Sequence, residues 1–216
     1  MITTKGEHIS FDKLLIATGS QVFVPPVKGI DLKGVYSLRT NQDMLKIKES
    51  VGSGKKVVII GGSFIGSETA ASLKQKFGAD IHVDIIEGQA HLFERAFGAE
   101  IGKMMKAEHE ANGVKIHTSA MLNEINGNAD GVATSVTLND GRKLEADVVI
   151  LGTGVRPRTA FLKDSGIEMG ADGSVLVDPF MQTNFVDIFA AGDIASYSYW
   201  PTGQRTRTEH WVNALD

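Results

Sequence analysis

The chain has 216 residues, 42% hydrophobic and 22% charged, enough apolar material for a sizeable core and more than one average domain. A formal net charge of -4, with no Lys/Arg cluster beyond Lys55-Lys56, gives no footprint for nucleic acid, and zero cysteines exclude disulfides, thiolate metal sites and a redox dithiol within this sequence. No apolar run approaches the roughly 18 residues that cross a bilayer, and the opening MITTKGEH lacks a secretion signal, so no membrane span and an intracellular location, cytoplasmic or mitochondrial, are expected.

The first forty residues read as a strand pair leading into Lys13-Leu14-Leu15-Ile16-Ala17, a run that stops at Thr18-Gly19-Ser20. Apolar residues on successive positions, without alternation, indicate a strand buried on both faces, as in a parallel sheet. Pro25-Pro26 marks a loop, and Met44, Leu45, Ile47 and Val51 give a linker helix over 41–51. A second buried strand, 56–60, runs directly into Gly61-Gly62-Ser63-Phe64-Ile65-Gly66. Ile65, Ala70, Leu73 and Phe77 then share one helical face, closed by Gly78, and Ile81, Val83 and Ile85 alternate into a strand ending at Glu87. Strand, glycine turn, helix and strand in about thirty residues make a βαβ unit.

A helix over about 100–112, with Ile101, Met104, Met105 and His109 on one face, leads through Gly113 to a strand over 114–117. An antiparallel meander follows: 121–125, 132–138 and a short strand around Leu144, the last two joined by the hairpin signal Asn139-Asp140-Gly141. Buried-strand character returns over 147–151 and halts at Gly152-Thr153-Gly154. The remaining sequence offers strands at 175–177 and 188–191, the latter entering Gly192-Asp193.

Gly61-x-Ser63-x-x-Gly66, lying between a predicted strand and a predicted helix, is a dinucleotide fingerprint in its proper context. Gly61 permits the tight turn, the third position lets a pyrophosphate approach the helix N-terminus, and Gly66 lets the helix pack on the strand. Ser63 occupies a position that should be glycine, so binding with some penalty is expected. Glu87 stands about twenty residues beyond Gly66 at a strand end, where the fold places an acid against a ribose 2′-hydroxyl. A carboxylate there repels a 2′-phosphate, and NAD(H) is favoured over NADP(H). Other motifs fail by one residue: Glu49 and Lys56 break a phosphate loop, Ile65 breaks a nucleophile elbow, and no histidine has metal-ligand spacing. His82 and His117 read as sheet residues.

The order of these turns resembles the two-dinucleotide-binding-domain flavoproteins of the FAD/NAD-dependent pyridine nucleotide oxidoreductases, in the branch of rubredoxin and ferredoxin reductases and apoptosis-inducing factor. Residues 11–20 look like that family's Ala-Thr-Gly segment, 61–68 like its NADH fingerprint, and 152–157 like its second glycine segment. Residues 181–184 and 188–193 look like its FAD stretch, and Glu209-His210-Trp211 like its flavin-facing turn. The resemblance implies an α/β fold: a Rossmann-like NADH-binding domain of parallel sheet plus three-stranded meander over 42–158, flanked by partial FAD-binding segments at 1–41 and 159–216. It implies NAD contacts at Gly61, Gly62, Ser63, Phe64, Ile65, Gly66, Glu68, Glu87, Arg95, Gly152, Thr153 and Gly154. It implies FAD or nicotinamide–flavin contacts at Ala17, Thr18, Gly19, Gly192, Asp193, Glu209, His210 and Trp211.

In that family an FAD-binding βαβ unit precedes the Ala-Thr-Gly segment and an interface domain follows the His-Trp turn. Neither is in this sequence, so the chain is expected not to retain FAD stoichiometrically and to be inactive by itself, and its open sheet edges to favour a homodimer or disordered flanks. The implied parent passes hydride from NADH to FAD and then electrons to an iron–sulfur or similar acceptor. No side chain need serve as acid, base or nucleophile. Two alternatives stand beside it: an NADH-sensing interaction protein like apoptosis-inducing factor, and a thiol-dependent disulfide reductase relative.

Overall fold

The computed structural model describes residues 1–215. They form two compact units, one spanning Val22–Gly154 and the other joining Met1–Gln21 to the segment from Val155 onward.

In the Val22–Gly154 unit five strands form a wholly parallel sheet in the spatial order Val35–Ser37, Val148–Leu151, Lys56–Ile60, His82–Ile86, Val114–His117. Alternation across the pleat explains why the runs are continuously apolar. Val57 and Ile59 face a core shared with Ile47, Ala70 and Leu73 of the helices Asn41–Ser50 and Phe64–Phe77. Val58 and Ile60 face the other way, into a core with Ile125, Val136 and Leu138 of the meander Leu122–Gly127, Ala133–Leu138, Lys143–Glu145. The sheet is thus the middle of three layers, and both faces of the fingerprint strand are dry.

Local signals set the element ends. Thr40 caps the Asn41–Ser50 helix through a reciprocal box: the Asp43 amide donates to Thr40 Oγ1 at 3.2 Å, and the Thr40 amide donates to Asp43 Oδ2 at 2.8 Å. The hairpin at Asn139-Asp140-Gly141 forms as expected, with the Leu138 amide donating to the Arg142 carbonyl at 2.8 Å. His117 is a satisfied sheet residue, its Nε2 lying 2.6 Å from Asp84 Oδ1.

The helix expected to begin near residue 100 instead spans Glu94–Ala111 and is broken at Gly98, whose φ of 78° is non-helical. The expectation rested on residues 101–109, so it reached only the part of the helix beyond that break. Of the expected face, His109 is buried and Met105 packs on the core, whereas Ile101 and Met104 are 41% and 58% exposed; Gly102 is buried beside His109. Gly102 packs so tightly that a Cβ there would sit 2.3 Å from the Leu92 carbonyl oxygen, so backbone proximity, together with Met105 on the core, seats this helix.

In the other unit, Leu14–Ile16 pairs in parallel with Ile188–Ala190, and Ala195–Tyr199 joins Val175–Leu176 on one side and Gln204–Thr206 on the other. Ile16, Leu162, Val175, Val177, Ala190, Ile194 and Ala195 form its core. The strands Ala195–Tyr199 and Gln204–Thr206 had no sequence signal, since Ser196, Tyr197, Ser198 and Arg205 give no apolar run. Among the described residues no helix is long and apolar enough to cross a membrane.

Candidate functional site

The fingerprint turn is built by glycines that the backbone itself requires. The Gly61 amide donates to the Ile86 carbonyl at 2.8 Å, tying the turn to the end of the neighbouring strand. A Cβ on Gly66 would stand 1.9 Å from the Gly61 carbonyl oxygen, and one on Gly61 would stand 2.2 Å from that of Gly152. Gly61, Gly66 and Gly152 are therefore mutually close-packed. Gly154 differs: a Cβ there meets nothing within 4 Å, so this glycine faces open space.

Beside the turn, Glu87 is fixed by both carboxylate oxygens. Oε2 accepts the Gly62 amide and Oε1 the Gln89 amide, each at 2.7 Å. Leu92 fills the remaining space against Gly62, where an added Cβ would approach its Cδ2 to 2.4 Å. Neither Gln89 nor Leu92 was singled out from sequence; a backbone donor and a packing methyl leave no residue-type signature. Ser63 lies in extended backbone (φ -101°, ψ -152°) and makes no side-chain capping bond to the Phe64–Phe77 helix, whose first turn carries no acid. Without a side-chain cap or a first-turn carboxylate, the first-turn amides and the positive end of the helix dipole suit an anion such as a pyrophosphate. The residues present fit a dinucleotide.

Phe64, half exposed, stacks edge-on with Phe93 and Phe97 at centroid separations of 5.2 and 5.6 Å. Ile65 is half-buried on the same helix, while Glu68 and Arg95 are exposed. Thr153 Oγ1 donates to the Phe23 carbonyl, and the Phe23 amide donates to that of Gly154 at 2.9 Å, fixing the second glycine segment. A cavity of about 1140 Å³ runs along the groove between the helices Phe64–Phe77 and Glu94–Ala111; Phe64, Phe93 and Glu68 line the part next to the turn, and His109 and Val114 line another. Phe64, Phe93, Phe97, Ile101 and Met105 give it a largely aliphatic and aromatic wall, which does not suit a pyrophosphate.

In the unit that joins the two chain ends, the Ala17-Thr18-Gly19 segment follows the Leu14–Ile16 strand. Thr18 Oγ1 donates to the Arg158 carbonyl, and the Arg158 amide donates to that of Gly19, both at 2.8 Å. Gly192 has φ 71°, and a Cβ there would meet only Ala214 Cβ at 3.9 Å, which leaves room beside the Gly192-Asp193 turn for a ligand such as a flavin. Arg207 Nη1 donates both to the Asp193 carbonyl, at 3.1 Å, and to Glu209 Oε1, at 2.5 Å. His210 and Trp211 stack with centroids 6.1 Å apart, and Trp211 is 70% exposed. Burial opposes the charge on Arg207, but its bonds to Glu209 and Asp172 outweigh this and hold the guanidinium more basic than usual. Among the described residues no His/Cys/Asp/Glu group is arranged to hold a metal.

A parallel-sheet domain with a glycine fingerprint, in a chain that also carries a glycine–aspartate turn after a second parallel strand pair, defines a dinucleotide-dependent oxidoreductase fold. The pyridine nucleotide-disulphide oxidoreductase model matches residues 2–216, and the chain belongs to that family. Monodehydroascorbate reductase 5 of Oryza sativa is 33% identical over 209 residues, covering 96% of this chain and 42% of that protein. Apoptosis-inducing factor 3 of Mus musculus is 32% identical over 210 residues, covering 97% of this chain and 34% of its own length. The crystal structure of a ferredoxin reductase from Rhodopseudomonas palustris superposes with a TM-score of 0.89 at 30% identity, covering 99% of this chain and 51% of that one. The chain thus spans about half, or less, of the relatives it matches. The family and the Rossmann-like α/β fold expected from the order of turns are both found.

Proposed function

We propose that this chain is the NADH-binding portion of a flavoprotein oxidoreductase that passes hydride from NADH to FAD, and electrons onward to an iron–sulfur or similar acceptor. The observation that carries this reading is the Glu87 carboxylate, bonded at 2.7 Å to the Gly62 amide beside an uncapped helix N-terminus. In it the NADH-binding domain is centred on residues 42–158. Ser63, Phe64 and Ile65 present the helix amides to the pyrophosphate, Glu87 holds the ribose and disfavours a 2′-phosphate, and Gly152, Thr153 and Gly154 form the wall beside the nicotinamide half. Glu68 and Arg95 flank that path.

A bound FAD would supply the chemistry of two-electron acceptance and one-electron release. This chain's own contribution is positioning. Ala17, Thr18, Gly19, Gly192 and Asp193 hold the flavin, and Glu209, His210 and Trp211 contact its ring system or the nicotinamide. The likeness to a ferredoxin reductase supports an iron–sulfur acceptor, and the likeness to a monodehydroascorbate reductase makes a small organic radical the competing one. With no cysteine in the sequence, a dithiol route would need residues from elsewhere. An intracellular location and self-association through open strand edges belong to the same proposal.

Amide hydrogen exchange with and without NADH tests it. Protection is expected at residues 62–66 and 87–89. Protection confined to the interhelical groove around Lys74 and Val114 would contradict it.

A further inference from the structure

We propose that Arg207 is a positioning residue of the flavin site, locking the Gly192-Asp193 turn and the Glu209 carboxylate into one fixed arrangement. This rests on the flavin-facing reading of those two segments. Arg207 is not among the residues that the resemblance assigns to either cofactor.

The geometry is that of a fork with two of its three nitrogens serving three acceptors. The Arg207 side chain is only 18% exposed. Its Nε donates to Asp172 Oδ2 at 2.9 Å, while Nη1 donates to the Asp193 carbonyl at 3.1 Å and to Glu209 Oε1 at 2.5 Å. Because one nitrogen serves both Asp193 and Glu209, these two lie within two hydrogen-bond lengths of each other. Asp172 is itself anchored, accepting the Ser174 amide at 3.0 Å and the Ser174 hydroxyl at 2.6 Å. Asp172 therefore fixes the guanidinium plane, and the plane fixes the other two partners.

The pattern is more than charge pairing. One of the three acceptors is a neutral main-chain carbonyl, and it belongs to the residue that follows Gly192 in the turn with open space beside it. A salt bridge needs no such third partner, whereas a device that sets the height of the Asp193 turn does. The planar five-donor guanidinium can satisfy three acceptors in set directions; an ammonium cannot hold the same three at once. Neighbouring Arg205 shows the contrast: its Nη1 donates to the carbonyls of Val177 and Ser196 and touches no carboxylate.

The test uses the full 216-residue chain, wild-type, Arg207→Ala, Arg207→Lys and Glu209→Gln, titrated with added FAD by flavin fluorescence and visible absorbance, and separately with NADH. Wild-type is expected to bind FAD saturably, and Arg207→Ala to weaken it about tenfold, the size of a lost charge-assisted bond. Arg207→Lys is expected to recover less than half of that loss. Glu209→Gln, which keeps the Asp172 and Asp193 bonds, is expected to change the bound-flavin absorbance bands with little loss of affinity. FAD affinity of Arg207→Ala within twofold of wild-type, full rescue by lysine, or no wild-type FAD binding up to about 1 mM would overturn the proposal. A destabilised variant with unaltered flavin bands would also overturn it, because a purely structural arginine predicts that outcome. NADH binding by Arg207→Ala and Arg207→Lys is expected to match that of wild-type. Loss of NADH binding by wild-type would refute the donor-domain reading while leaving the flavin result to decide on Arg207.

Discussion

Glu87 and Gly66 are the residues on which the candidate site most depends, and for different reasons. Removing the Glu87 carboxylate frees the Gly62 and Gln89 amides it now binds at 2.7 Å and removes the ribose acceptor. Glu87→Ala is expected to weaken NADH about tenfold or more and to narrow the preference over NADPH, as read by parallel fluorescence titrations. At Gly66 the cost lies in the fold, because a methyl group would stand 1.9 Å from the Gly61 carbonyl oxygen and nothing there can yield. Gly66→Ala should lose about 3 kcal/mol in urea unfolding, with a lower midpoint at an unchanged slope. Ser63 is the opposite case. Its backbone is in a region any residue adopts, so Ser63→Gly relieves only side-chain crowding and should tighten NADH by no more than severalfold, with unfolding unaffected.

At the scale of elements, the Asn41–Ser50 helix depends on its capping box, and Thr40→Ala is expected to cost about 1 kcal/mol, measurable by thermal or urea unfolding. The βαβ unit, the hairpin at Asn139-Asp140-Gly141 and four of the five parallel strands were legible in the sequence because each rests on a local pattern: a continuous apolar run, a glycine punctuation or a turn dipeptide; the edge strand Val35–Ser37, three residues long, has no such pattern. The Glu94–Ala111 helix was half legible. Its 101–109 pattern placed Met105 and His109 inside, but the turn before Gly98 and the seating of Gly102 against the Leu92 backbone have no apolar signature. The site divides in the same way. The glycines and Glu87 could be read from spacing, but Gln89, Leu92 and Arg207 take part through a backbone amide, a methyl group and long-range hydrogen bonds to Asp172 and Asp193, none of which leaves a motif.

Over the whole molecule, stability should depend on pH through His109, which is buried in the Val22–Gly154 unit. Burial disfavours its charged form, outweighing the opposing effect of Glu108, so its folded pKa lies below the usual 6.5. The unfolded chain then binds the extra proton first. Stability from a neutral His109 is complete above about 6.5 and is lost as pH falls below it. Urea midpoints at about pH 7.5 and about pH 5.5 should show the decline, and His109→Gln should flatten it. The central claim, that the fingerprint turn and Glu87 form a working donor site, is tested most directly by calorimetric titration of the chain with NADH and, separately, NADPH. Saturable NADH binding at one per chain with much weaker NADPH binding is the predicted result; no heat from either nucleotide, or equal affinity for both, would contradict it.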